Sequence, residues 1–192
     1  MKKLFALLLA LCMMMALCAC GGSSETIIGS WEGTMDMAQM LVEEVDPGVQ
    51  QSLGTSISFG DYLKKMPCKF LAEFKADGTY SYQLDGSDSR DLLKTATYDY
   101  YYAILTELLG AEPTDDELVS VLGMSLDDYA GQIADQSLDG LKSQGTTSGT
   151  FKIDGNKILY NGSSDNYETF TLSGNTLTIH VDGLGDVVFN RK

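Results

Sequence analysis

The sequence predicts a mainly β domain with helical insertions, an α+β chain built as an eight-stranded antiparallel up-and-down barrel with helices covering one end. Three observations predict it. The first is a shared hairpin pattern in Phe74-Lys-Ala-Asp-Gly-Thr-Tyr80, Phe151-Lys-Ile-Asp-Gly-Asn-Lys-Ile158 and Phe170-Thr-Leu-Ser-Gly-Asn-Thr-Leu177. Each places Gly four residues after Phe, and Gly takes the positive φ of a tight turn without a Cβ clash. The second is period-two alternation beside those turns, the mark of half-buried strands. Phe70, Ala72 and Phe74 share one face, as do Tyr80, Tyr82 and Leu84, and Leu177, Ile179 and Val181. The third is parity. Strands are expected over 26–34, 68–76, 79–85, 149–154, 157–161, 166–173, 175–182 and 186–191. If consecutive strands run antiparallel, the three tight Gly turns fall at one end. The longer links, two of them helical, fall at the other.

The elements follow in order. Met1-Lys2-Lys3 is a basic start, and Leu4 to Leu17 is an apolar run of 14 residues, too short to span a bilayer comfortably and suited to a secretory leader. Residues 20–25 form a tether whose last five residues reach about 12 Å on average, and the domain occupies 26–192. Strand one sets Ile27, Gly29, Trp31 and Gly33 on one face. The first insertion, about 35–66, reads as largely helical and broken at Asp46-Pro47-Gly48, with Met37, Met40, Leu41 and Val45 as an apolar stripe at helical spacing. Such a Met-rich stripe is usually core and sometimes an adaptable binding face. The second insertion, about 87–143, holds three helices. Ser87 is expected to cap one running to Leu109, with Tyr98, Tyr102, Leu105 and Leu109 on one face and Tyr100, Tyr101, Ile104 and Leu108 widening it. Thr114 to Glu117 is a capping box. Ser125 to Asp128 opens the third helix, with Leu126, Tyr129, Ile133 and Leu141 inward, and Ser143 to Ser148 reads as a loop.

Composition narrows the function. The chain has 192 residues, enough for one domain with a sizeable core. Acids outnumber bases 27 to 13; without Lys2 and Lys3 the balance is 11 against 27, or −16. That disfavours nucleic acid and anionic lipid as partners and fits a soluble, self-repelling, monomeric surface. The leader ends Leu17-Cys18-Ala19-Cys20. This resembles the lipobox of bacterial lipoproteins, with an aliphatic residue at −3, a small one at −1 and Cys at +1. The resemblance implies cleavage of residues 1–19, lipidation of Cys20, and anchorage on the outer face of the plasma membrane, where two acyl chains hold stably. An ordinary secreted protein cut at Ala19 is the alternative. With Cys20 lipidated, Cys68 has no partner for a disulfide and reads as a small core hydrophobe in preference to a nucleophile.

Gly29-Ser30-Trp31 near the mature start resembles the Gly-x-Trp of lipocalins, and the resemblance extends to the hairpin regions but not to the helical insertions. It implies that Arg191, inward by parity with Val187 and Phe189, packs over the Trp31 indole at the closed end.

Catalytic signatures are missing. The chain has no Gly-x-Ser-x-Gly, Cys-x-x-Cys, His-Glu-x-x-His, phosphate loop or dinucleotide fingerprint. His180, the one histidine, falls outward by parity. Asp115, Asp116, Glu117, Asp127 and Asp128 sit in first helical turns, where the helix dipole favours them. No enzyme activity, cofactor or metal is therefore expected. Two readings remain. In one, a small apolar or amphipathic ligand lies beneath the helices, against Tyr82, Leu84, Tyr98, Tyr101 and Tyr102. In the other, the inward set Trp31, Phe70, Phe74, Tyr80, Tyr82, Phe151, Tyr160, Phe170 and Phe189 fills the barrel, the tyrosines only close the core, and the lipoprotein has a structural or interaction role.

Overall fold

The computed structural model describes residues 26–182 and 185–192. The leader and the whole tether, Cys20 included, lie outside those residues. The described chain forms a closed barrel in which eight strands pair in sequence order and the last returns to the first. They are β1 (Gly29–Asp36), β2 (Pro67–Phe74), β3 (Thr79–Asp85), β4 (Thr147–Asp154), β5 (Lys157–Tyr160), β6 (Tyr167–Ser173), β7 (Thr176–Val181) and β8 (Gly185–Arg191). Every pairing is antiparallel. This is the lipocalin-like up-and-down architecture. The tight turns carry Gly78, Gly155 and Gly174 at φ of 82°, 59° and 57°, as their sequence positions require.

Four helices occupy the long links: α1 (Ala38–Leu53), α2 (Arg90–Leu109), α3 (Asp115–Leu122) and α4 (Leu126–Gln144). Among the described residues no helix is long and apolar enough to cross a membrane. The expected capping box is present, with Thr114 accepting from the Glu117 amide and Glu117 accepting from the Thr114 amide. Ser125 caps α4 by accepting from the Asp128 amide at 3.1 Å.

Several local expectations are corrected. The helix of the first insertion does not break at Pro47; α1 runs through it and ends at Gly54, whose φ is 68°. Pro47 forfeits one helical hydrogen bond, but it lies on an exposed stretch, and Asp46 beside it is tied down. The Asp46 carboxylate accepts from the Phe59 amide at 2.7 Å and from the Ser58 hydroxyl at 2.5 Å. The rest of that insertion is loop with a short 3-10 turn at Phe59–Asp61, while Met35 and Asp36 belong to β1. Asp36 joins the two ends of the insertion, accepting from the amides of Ala38 and Met66. Before α2 the acceptor side chain is Asp85, which takes the Ser87 amide at 3.0 Å; Ser87 opens a 3-10 turn. The loop expected at Ser143 to Ser148 is nearly absent, because α4 reaches Gln144 and β4 starts at Thr147.

The core has two main bodies. Inside the barrel, seven of the nine expected aromatics are buried, with Phe70 and Phe170 packed against them. Above the barrel, Met37, Phe59, Leu63, Met66, Leu93, Tyr100 and Ile104 form a second cluster together with Cys68 and Leu84 from the strands. Met35 and Phe70 touch both, so the layers are continuous.

Candidate functional site: a cleft over the barrel mouth

The end with the tight turns is shut. Trp31 is fully buried and its Nε1 donates to the Ile27 carbonyl at 2.7 Å. The Arg191 guanidinium lies 4.2 Å over the indole. Its Nη1 donates to Ile28 O at 2.8 Å and its Nη2 to Thr26 O at 2.7 Å. The chain entering β1 is thereby strapped across the barrel floor. Gly29 is needed there twice over. Its φ is 138°, and a Cβ would come within 2.7 Å of Arg191 Nη1.

The interior is filled. Phe74 meets Phe151 at 5.1 Å and Tyr82 at 5.8 Å, and Tyr80 meets Tyr160 at 4.9 Å, all tilted or edge-on as ring quadrupoles prefer. A polar chain runs through this apolar body. The hydroxyls of Tyr82 and Tyr160 lie 2.5 Å apart, and Tyr160 donates to Glu168 Oε2 at 2.5 Å. Because Tyr160 gives its proton to Glu168, it accepts from Tyr82. Glu168 pairs across the ladder with fully buried Ile158 and faces inward with it. Burial pushes the Glu168 carboxyl up from the usual carboxylate range, and the two tyrosine hydroxyls partly offset that. Burial raises both phenols, so they stay protonated and the relay stays intact. Glu168 carried no sequence signal beyond its alternation with Phe170.

Space opens at the other mouth, in a cleft of about 590 Å³. One wall is α1 with its cap residue, through Met37, Met40, Leu41, Glu44 and Val45, which repeat at helical spacing. The facing wall is α4, through Gln136, Ser137, Gly140, Leu141 and Gln144. Strand ends form the floor: Met35, Phe70, Tyr82, Leu84, Thr147 and Val181. Met40 is 43% exposed and Glu44 and Gln144 are exposed, so the cleft opens to solvent between the helices. The end of α4 is pinned to the floor, since Leu84 N donates to Gly145 O at 3.2 Å.

Of the residues expected to meet a ligand, Tyr82 and Leu84 line this cleft. Tyr98, Tyr101 and Tyr102 do not. They pack with Leu105, Leu118 and Leu126 where α2, α3 and α4 meet. Tyr98 and Tyr102 stack at 6.2 Å, and Tyr101 sets its edge on Tyr129 at 5.1 Å. The reason is rotational. The buried stripe of α2 is Leu93, Ala96, Thr97, Tyr100 and Ile104, which turns the other tyrosines sideways. Tyr100 enters the upper core beside Phe59 at 5.1 Å, with its hydroxyl buried and without a hydrogen-bond partner among the described residues. Burial, then the charge of Asp46, pushes that phenol up to about 12. The stripe at the start of α1 carried the sequence signal for the cleft; Met37, at the helix cap, is buried, and Met40, within the helix, is open.

Two other candidate residues lie away from the cleft lining. Cys68 is fully buried, and burial, then Asp85 and Asp36, push its thiol up to about 11. His180 lies on the outer surface with Nδ1 2.8 Å from Asp186. No known family model, curated protein or solved structure matches this chain.

Proposed function

We propose that this chain is a lipid-anchored cell-envelope protein of a bacterium, held on the outer face of the plasma membrane through Cys20, whose lipocalin-like domain binds a small apolar or amphipathic molecule. The observation that carries the binding reading is the Met-lined cleft. Its volume of about 590 Å³ suits a small molecule, and its lining is apolar with a few polar groups, as in ligand sites generally. Methionine side chains repack around varied apolar shapes, which fits a wall of this kind. The packed interior directs the ligand to the cleft and away from the barrel lumen. The role is binding, not catalysis, by a monomer that does not engage nucleic acid.

The second reading, a structural or interaction lipoprotein, is favoured by the filled lumen. Gly140 separates the two. It lies inside α4 on the cleft wall, with nothing within 4 Å of where its Cβ would stand. Gly140→Leu is expected to fill the cleft, abolish binding of an environment-sensitive hydrophobic dye, and stabilise the fold by about 0.5–1 kcal/mol through helix propensity. Native mass spectrometry of protein from its own host looks for the retained molecule. A wild type that binds no dye and retains nothing, or a Gly140→Leu variant that binds unchanged, contradicts the binding reading.

A further inference from the structure

We propose that the cleft selects by headgroup, taking a single-chain amphipath with a cationic head in preference to the anionic counterpart of the same chain. The proposal rests on the binding reading above and adds the class of ligand.

The floor supplies an apolar seat in Met35, Phe70, Leu84 and Val181, where a hydrocarbon tail gains most from leaving water. Tyr82 adds a ring face but no free hydroxyl, since its hydroxyl is engaged with Tyr160. The tail therefore meets no polar demand at depth, and recognition of a head falls to the rim. On that rim Glu44 is, among the described residues, the one charged residue lining the cleft. It is exposed on α1, and among the described residues it forms no ion pair. The opposite wall offers Gln136, Ser137 and Gln144, neutral groups that hydrogen-bond a head without fixing its charge. Among the described residues no lysine, arginine or histidine lines the cleft. A carboxylate or phosphate head would meet Glu44 with no cation to neutralise it; an ammonium head gains an attraction of the rim-exposed kind. The net charge of −14 adds a longer-range bias of the same sign, which salt screens.

The test is isothermal titration of the full chain with three dodecyl probes below their micelle concentrations: dodecyltrimethylammonium, dodecanoate and, as neutral reference, dodecyl maltoside. The ammonium probe is expected to bind about two- to five-fold tighter than dodecanoate, the scale of an exposed ion pair. Glu44→Gln should remove that ratio and Glu44→Lys should reverse it. Glu112→Gln, an equal change of net charge at an exposed site off the cleft, should leave it standing. Equal binding of both charged probes to wild type overturns the headgroup proposal and leaves the binding reading in place. A ratio that survives Glu44→Gln, or that falls equally in Glu112→Gln, assigns the preference to bulk charge and also overturns it. If none of the three probes binds, the binding reading fails and takes this proposal with it. Circular dichroism of each variant confirms the fold, and both sites are exposed surface positions that tolerate substitution.

Discussion

Arg191 does three things with one side chain. It covers the Trp31 indole, and it donates to two carbonyls of the strand-one lead-in. Planar, fork-shaped donors suit such a site better than an ammonium does. Arg191→Ala is expected to cost about 2 kcal/mol, from the ring contact and the charge-assisted hydrogen bonds together. Arg191→Lys should recover less than half. Denaturant unfolding midpoints measure both, and a neutral Arg191→Ala would contradict the strap. Glu168 makes the opposite kind of prediction. Its folded pKa lies above the ordinary 4.5 because it is buried. A carboxyl raised in this way favours the fold at low pH and loses that contribution as pH rises through the folded value. Glu168→Gln keeps an acceptor for Tyr160 and removes the buried charge. The variant should therefore gain stability over wild type at neutral pH, with the gain shrinking as pH falls towards 4.5 and below. Urea midpoints across that range test the sign; a difference independent of pH would contradict it.

At the scale of elements, α4 shapes the cleft because its end is fixed to β3. A Cβ on Gly145 would stand 2.5 Å from Leu84 Cβ and 2.9 Å from Leu141 O. Backbone on one side and a floor residue on the other leave nothing free to swing away. Gly145→Ala should push α4 off the floor and cost about 1–3 kcal/mol, as overpacking does. It should also alter dye binding, since Leu84, Leu141 and Gly145 all line the cleft. The pair Gly140→Leu and Gly145→Ala thus separates filling the cleft from deforming it. A Gly145→Ala variant as stable as wild type, by thermal melting, would mean that this contact does not set the helix position. Pro47 shows the same lesson from the other side. A helix continues through a proline when the lost bond is on an exposed stretch and a neighbour such as Asp46 anchors the following loop.

At the scale of the whole molecule, the two ends of the barrel are built differently. Thr26 is held at the closed end by Arg191, and the cleft lies over the opposite mouth. An anchor at Cys20, six residues before Thr26, would place the closed end towards the bilayer and the cleft away from it. Such a cleft would draw its ligand from the surrounding phase and not from the anchoring membrane. Cys20→Ser should abolish labelling by a fatty-acid analogue and release the chain from membranes, while cleft binding stays unchanged. Equal label on variant and wild type would contradict the anchor, and binding lost with the lipid would contradict the separation of ends.

The barrel was legible in the sequence because its determinants are local. Period-two alternation fixes which face of a strand is buried, and Asp-Gly and Ser-Gly-Asn fix where it turns. Antiparallel parity then assigns each link to an end. The same parity turns Arg191 inward at the closed end; its contact with Trp31 was what the likeness to lipocalins implied, and β1 and β8 do meet at Trp31↔Arg191. The α1 stripe of Met37, Met40, Leu41 and Val45 was also visible as periodicity. Tertiary structure decided the rest. Periodicity names a helix face but not the neighbour it will turn towards, so the stripe that became the cleft wall and the tyrosines that became a helix junction looked alike in sequence. Glu168 likewise reads as one acid among 27 until the barrel closes and brings it to Tyr160. A buried charge is defined by what surrounds it, and those neighbours come from other strands.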